Sequence, residues 1–522
     1  IADKLSNEGI EILEAAEGLE VLNKPGMSPE ELLEVIPDID GLVIRSGAKV
    51  TAEVIAAATK LKVVGRAGIG VDNVDIPAAT ERGIVVMNTP FGNNITTAEH
   101  AIALIVSLAR HIPQATASMK AGKWEKSKFS GLELFKRTAG VIGAGNIGRV
   151  VVERLQGLGM NVIIFDPYLT EESATALGVE RVDFDGLCEK ADIITVHVPK
   201  VKETIGLLGA EAFKKVKPGV LIVNAARGGI VDEDALLDAL NSGQVGGAAL
   251  DVYVEEPVNP DHPLVNHPNV ICTPHLGAST AQAQLNVAIS VAEQVRDYVL
   301  NGVVSNALNM PSVSPEVMEK VRPYVALGEK LGRFQGQLCT AGVKEIEIDL
   351  GGEVSELDAS PITSAILKGL LESVTDHVNM VNASSIAEKR GIRVVHSKSS
   401  KSADFASIIT TKVKGDCQDR LIAGAIFHGG QPRIVRVDDF MLEAIPEGST
   451  LFINNHDRPG VVGMVGQFLG EAGVNISRMQ LALSPESKQA AMLVNIDSAP
   501  AEDVLETLRG HADIISAQVL EL

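Results

Sequence analysis

At 522 residues the chain is too long for one hydrophobic core, so several domains are expected. A formal net charge of −21 opposes nucleic acid and anionic membrane as partners, and no unbroken apolar run is long enough to span a bilayer, so a soluble protein is expected. The four cysteines include no C-x-x-C pair, which argues against a disulfide framework or a thiolate zinc site, and no metal is expected. An anionic substrate would therefore need a local pocket of Arg and Lys.

The chain opens Ile1-Ala2-Asp3, where only the tail of an opening strand is legible. A few preceding residues are expected, with a cytoplasmic location; a removed transit peptide, and hence a plastid, is the alternative. Residues 1–98 alternate helices (5–16, 52–58) with short apolar strands (41–44, 61–65, 84–87), which predicts a small parallel sheet covered on both faces. Functional loops in such sheets lie beyond the strands' carboxyl ends. Arg45, Ser46 and Lys49 follow one strand, where a bidentate Arg and a point-charge Lys suit phosphate or carboxylate. The glycine-rich loop from Arg66 to Asn73 follows the next, and its glycines would let backbone amides approach an anion.

A long apolar helix then runs to about residue 108, with Thr96 or Thr97 as the expected N-cap. His100 lies within it and reads as a packed core histidine. Residues 117–130 are polar and carry the only tryptophan, Trp124, suited equally to a subunit contact or a packed loop. Residues 139–148 are an apolar strand running into Gly143-Ala144-Gly145-Asn146-Ile147-Gly148. A helical pattern follows, and the next strand, 162–165, ends in Asp166. This is the layout of a dinucleotide-binding βαβ unit: glycines for the turn, for pyrophosphate approach and for helix packing, with an acid for the ribose hydroxyls. The charge of Asp166 would repel a 2′-phosphate, so NAD is expected over NADP.

Further strands at 193–197, 220–224, 248–251 and 270–272 each end in a polar residue. Those ends supply Arg227, Asp251, Glu256 and His275. If NAD is bound, the chemistry is hydride transfer and the carbinol proton needs a base. His275 can take it near neutral pH, Glu256 can orient the ring, and Arg227 can hold a carboxylate and polarise a carbonyl. Asp251 is assigned to the nicotinamide amide or to support of the arginine. His197 is the rival histidine, read as lining the adenosine side.

A helix at 281–302 is expected to return to the first domain. Residues 303–315 read as a Ser-, Asn- and Pro-rich linker. Beyond it, 316–447 mixes helix with strands at 344–350, 392–396 and 408–413 and a hairpin turning at Gly429-Gly430. The last seventy or so residues have a βαββαβ rhythm, with Pro459 near helix position N1 and Gly473 after the helix end.

The runs His275-Leu276-Gly277-Ala278-Ser279-Thr280 and Ala226-Arg227-Gly228-Gly229-Ile230-Val231-Asp232, with the loop from Arg66 to Asn73, resemble the D-isomer-specific 2-hydroxyacid dehydrogenases, and among them the long-form D-3-phosphoglycerate dehydrogenases. The resemblance implies an α/β fold: a Rossmann cofactor domain (99–282) inserted in a flavodoxin-like substrate domain (1–98 and 283–305), then an α+β regulatory domain (316–447) and a ferredoxin-like ACT domain (450–522). It implies Arg227, Glu256 and His275 as catalytic residues. Gly143, Gly145, Asn146, Ile147, Gly148, Asp166, Ala225, Asp251 and Gly277 would line NAD with Arg227 and His275. Arg45, Ser46, Lys49, Gly68, Ile69 and Gly70 would bind 3-phosphoglycerate. Asp457, Pro459, Gly460 and Asn475 would bind serine across a subunit pair, in a homotetramer. Two departures stand out: Ala48 where the family often has Thr, and Lys136-Arg137 in place of a Gly-Lys turn. A sister enzyme acting on an unphosphorylated 2-oxo acid such as glyoxylate or hydroxypyruvate, and a non-catalytic NAD-sensing protein of corepressor type, are the competing readings.

Overall fold

A computed structural model describes residues 1–311, 315–339, 342–375, 377–400, 405–416, 419–484 and 487–522. Four sheets organise it. In the N-terminal unit β1 (Gly41–Ile44), β2 (Val63–Arg66) and β3 (Val85–Asn88) pair in parallel in that order. Beside β1, the Ala2 amide donates to Val43, and the Lys24 and Gly26 amides donate to Ile1 and Ala2. With these two irregular segments counted, the layer follows the flavodoxin-like order 2-1-3-4-5. The strands are apolar almost throughout because both faces are covered. One cover is the helix Ala281–Asn301, whose Val295 sits 2.5 Å from where a Cβ on Gly65 would lie, so only glycine lets helix and β2 meet.

The second sheet holds β4 (Thr138–Ile142), β5 (Asn161–Phe165), β6 (Glu180–Arg181), β7 (Ile193–Val196), β8 (Val220–Asn224), β9 (Val245–Leu250) and β10 (Val270–Cys272). All pair in parallel, in the order β10-β9-β8-β7-β4-β5-β6. The order reverses between β4 and β7, and such a switch point opens a ligand crevice at the strands' carboxyl ends. Two helices carry the chain between the units, Asn94–Ala109 outward and Ala281–Asn301 back. Near their starts the Thr96 and Thr280 hydroxyls lie 3.4 Å apart. The outgoing helix begins after Asn93, not at Thr96 or Thr97, which lie inside its first turns; Asn93 donates to the Thr97 hydroxyl. Trp124 is 80% exposed, so the packed-loop reading of its segment fails.

Residues 303–311 are docked rather than free. Asn309 accepts from the Val86 amide and donates to the Ile84 carbonyl, and Ala307 bridges Met87. The expected linker thus clamps β3, while 312–314 lie outside the described residues. The third sheet is β12-β11-β13-β14-β15-β16, built from β11 (Val343–Gly352), β12 (Arg393–Ser399), β13 (Ser407–Gly415), β14 (Arg420–Phe427), β15 (Gln431–Val437) and β16 (Phe440–Ala444). The β14–β15 hairpin turns at Gly429 and Gly430, both left-handed, as expected. Helices Pro315–Leu338 and Ala359–Glu372 cover the sheet. They touch backbone to backbone at Gly332 and Gly369, where a Cβ would lie 2.0 and 2.2 Å from a carbonyl oxygen of the facing helix. Cys339, just past the first helix, is disulfide-bonded, which the cysteine spacing did not lead us to expect; Cys188 and Cys272 are free thiols.

The fourth sheet is antiparallel, β18-β19-β17-β20, from β17 (Ser449–His456), β18 (Ile476–Leu483), β19 (Gln489–Ile496) and β20 (Ile514–Glu521). Helices Val461–Glu471 and Glu502–Arg509 cover one face. The other packs on the long helix Pro315–Leu338, where Phe334 meets Phe452 edge-on at 5.7 Å. Gly460 is the residue that precedes the first of these helices, so Pro459 stands outside it and not at N1. Gly473 follows the C-cap with φ +72°, as the sequence suggests.

Candidate active site

The three glycines after β4 divide their work as their surroundings dictate. Gly143 turns the chain at φ +99°, where a Cβ would also lie 2.6 Å from the His197 carbonyl. Gly148 packs the following helix, Asn146–Gly157, so close that a Cβ would lie 2.0 Å from the Gly143 carbonyl. A Cβ on Gly145 would meet nothing within 4 Å, which leaves open space at the helix N-terminus for a pyrophosphate. Asn146 and Ile147 open that helix; the Asn146 amide reaches the Pro90 carbonyl at 3.5 Å, across from the N-terminal unit. Asp166 lies one residue past β5. Its carboxylate accepts from the Ala144 and Tyr168 amides, both at 2.8 Å, and so is anchored against the glycine loop before any ribose arrives.

Beyond the carboxyl ends of β8, β9 and β10 lie the three expected catalytic side chains. His275 Nδ1 is 2.7 Å from Glu256 Oε2, and the other Glu256 oxygen accepts from the Tyr253 amide at 3.0 Å. Burial works to raise the Glu256 pKa, but the His275 and Tyr253 hydrogen bonds outweigh it and hold the carboxyl below its ordinary range. The imidazole is about half exposed, so Nε2 can meet a substrate. His275 has φ +52°, a left-handed conformation that costs a non-glycine residue on the order of 1 kcal/mol. Thr273 and Asp251 lie directly beneath this turn, and Ala225 is buried at the end of β8.

Arg227 reaches across the cleft: Nε donates to Asp72 Oδ2 at 2.8 Å, and Nη1 to its neighbour Ala226 at 2.7 Å. The guanidinium lies over Gly70, where a Cβ would sit 1.5 Å from Nη2. Gly68 likewise makes room for the guanidinium of Arg66, and its amide is held by the Thr89 hydroxyl at 2.7 Å; the Ile69 carbonyl accepts from Asn88 at 2.7 Å. Burial, then repulsion from Arg227, lowers the Arg66 pKa to about 10, with Arg45 adding to the effect. Arg45, Arg66 and Arg227 thus share one field. The backbone of the first loop is already occupied: the Asp3 carboxylate accepts from the Arg45 and Ala48 amides, so a bound anion there would rely on the side chains of Arg45, Ser46 and Lys49.

Four participants escaped the sequence reading. Arg66 ends β2 as Arg45 follows β1, so the strand-end argument could have found it. Asp72 lay in a loop read only for its glycines. Asp3 gave no signal, and His100 read only as a packed core histidine. His100 is not simply packed, since its Nε2 lies 3.1 Å from Asp251 Oδ1 and 3.3 Å from Thr273 Oγ1. The rival His197 sits beneath the glycine loop, bonded through Nε2 to Thr195 at 2.9 Å, and burial lowers its pKa to about 4. Asp457, Pro459 and Gly460 precede the helix Val461–Glu471, and Asn475 follows it; all four are exposed. An eleven-residue helix is about 16 Å long, which separates the two groups within one chain.

This arrangement, a parallel nucleotide-binding sheet with a carboxylate-paired histidine and an arginine at its strand ends, is that of an NAD-dependent dehydrogenase of 2-hydroxy acids. Residues 102–277 match the D-isomer specific 2-hydroxyacid dehydrogenase NAD-binding domain, 320–438 the D-3-phosphoglycerate dehydrogenase intervening domain and 449–513 the ACT domain. A D-3-phosphoglycerate dehydrogenase of Archaeoglobus fulgidus is 44% identical, with 100% of this chain and 99% of that protein aligned. Among solved structures, a glyoxylate reductase from Paecilomyes thermophila (30% identity, TM-score 0.55) covers 59% of this chain and 96% of its own. An NAD-dependent formate dehydrogenase from Staphylococcus aureus in complex with NAD (29%, TM-score 0.54) covers 59% and 93%. The chain belongs to the D-3-phosphoglycerate dehydrogenase family, NAD-dependent oxidoreductases of serine biosynthesis.

Proposed function

We propose that this chain oxidises 3-phospho-D-glycerate to 3-phosphohydroxypyruvate, with NAD held at the Gly143–Gly148 loop and substrate held by the N-terminal unit. The observation that carries the residue roles is the His275–Glu256 pair at 2.7 Å, beyond the carboxyl ends of the same sheet that sends Arg227 across to Asp72, where its charge adds to those of Arg45 and Arg66. His275 takes the carbinol proton at Nε2, while Glu256 keeps Nδ1–H donated to itself and stabilises the imidazolium. NAD, when bound, would supply the hydride acceptor. Arg227 grips the substrate carboxylate and polarises the carbonyl in the reverse direction. Arg45 and Lys49 hold the phosphate, and Arg66 adds charge to the same field. Asp166 bonds the ribose.

The assay is NADH formation from 3-phosphoglycerate and NADH consumption with phosphohydroxypyruvate, set beside glyoxylate, hydroxypyruvate and lactate. A preference for the unphosphorylated acids would overturn the substrate reading in favour of the sister enzymes. Serine is proposed as an effector of the ACT sheet, bound between Asp457, Pro459 and Gly460 of one subunit and Asn475 of another in a homotetramer. Their separation along one helix supports a site shared between two copies. Serine titration of activity and thermal midpoint, with light scattering for assembly, tests this; no response in either titration removes serine as effector.

A further inference from the structure

Resting on the reading of His275 as the base, we propose that His100 is a positioning residue for it, acting through Asp251. The Asp251 carboxylate is almost completely buried, and a buried carboxylate must find donors. It finds four. Oδ1 accepts from the Thr273 hydroxyl at 2.6 Å and the Leu276 amide at 2.7 Å, Oδ2 accepts from the Gly277 amide at 2.9 Å, and His100 Nε2 lies 3.1 Å from Oδ1. Two of these donors are the successive amides that follow His275, and the His275 amide itself donates to the Asp251 carbonyl at 2.9 Å. A left-handed residue followed by convergent amides makes a concave anion site. Here the anion is internal, and it holds the turn that aims the imidazole.

The aim of the turn beyond its backbone bonds to β9 therefore depends on where the Asp251 carboxylate sits. Both amides and the hydroxyl belong to the turn being held, so they cannot anchor it from outside. His100 can, because it stands on the helix Asn94–Ala109, which is packed against β8 and β9 and comes directly from the crossing between the units. Its Nε2 lies within reach of both Asp251 Oδ1 and the Thr273 hydroxyl, so a proton carried there can serve the carboxylate. An apolar side chain at position 100 would leave the carboxylate short of one donor and free to swing.

The test uses the full chain with three variants. A Gln amide nitrogen reaches about as far as imidazole Nε2, whereas an Asn amide stops near Nδ1. His100→Leu and His100→Asn are expected to lower kcat about tenfold or more, as small misplacements of a catalytic group do, with KM for 3-phosphoglycerate little changed. His100→Gln is expected to recover most of that loss. Equal activity in all three variants, whether high or low, would overturn the proposal. His275→Asn is measured alongside. If it keeps wild-type turnover the base assignment fails. If it is inactive while His100→Leu turns over normally, only the positioning role fails.

Discussion

Arg227 and Asp72 join the two units across the cleft, Nε to Oδ2 at 2.8 Å. The pair does for the arginine what Glu256 does for His275: it fixes the direction of a group that must meet substrate. Because Asp72 is more than half exposed, the bond is a modest one, and its value lies in orientation.

Asp72→Asn should therefore lower kcat/KM by about fivefold, equivalent to loss of roughly 1 kcal/mol of charge-assisted bonding, without a change in thermal midpoint. Arg227→Lys should cost far more, about 10²-fold, since a lysine cannot reproduce the planar fork. Steady-state kinetics on both variants check the ranking; a reversed order would show that Arg227 is held some other way.

The glycine loop offers a contrast between folding and binding. Gly145→Ala should leave the thermal midpoint unchanged, since its Cβ would meet no protein atom, yet weaken NADH binding by occupying pyrophosphate space. Gly143→Ala should lower the midpoint, because its φ of +99° and the His197 carbonyl both reject a side chain. Differential scanning fluorimetry and NADH fluorescence titration separate the two effects.

His197 makes stability depend on pH in a defined window. Burial lowers its pKa from 6.5 to about 4. Between those values the unfolded chain binds a proton that the folded chain does not, so stability falls as pH drops from about 6.5 to about 4. The full effect is about 3 kcal/mol. His197→Asn should flatten that part of the curve of unfolding free energy against pH; an unchanged slope would show that other groups set it.

His275→Ala should reduce turnover at least about 10²-fold, the share attributable to general acid–base catalysis. Glu256→Gln should reduce it less, because the amide can still hold the ring but cannot stabilise its cation. Pre-steady-state hydride transfer distinguishes this from slow product release.

These residues were legible in the sequence because a parallel sheet places chemistry at strand ends. Gly143, Arg227, Glu256 and His275 each follow an apolar run, and the run predicts the position. The ACT sheet was equally legible, since each of its strands and helices is separated by a turn residue. The backbone-to-backbone packing at Gly332 and Gly369 was not, because a glycine inside a helix reads first as a weakness. The roles of Asp3 and His100 were invisible for another reason. Their partners, the Ala48 amide and Asp251, lie 45 and 151 positions away, and periodicity carries no information at that range. Asn309 misled: its Ser- and Asn-rich surroundings have loop composition, yet its amide takes up ladder groups of β3.

Arg45, Arg66 and Arg227 sit in one cleft of a chain whose net charge is −21. An approaching phosphorylated acid therefore meets a repulsive field from afar and an attractive one only near the guanidinium groups. At physiological ionic strength charges more than about 8 Å apart scarcely feel each other, which mutes the first field more than the second. Moderate salt would thus speed the capture of substrate, where for a cationic enzyme it would slow it, and only higher salt would weaken the grip itself.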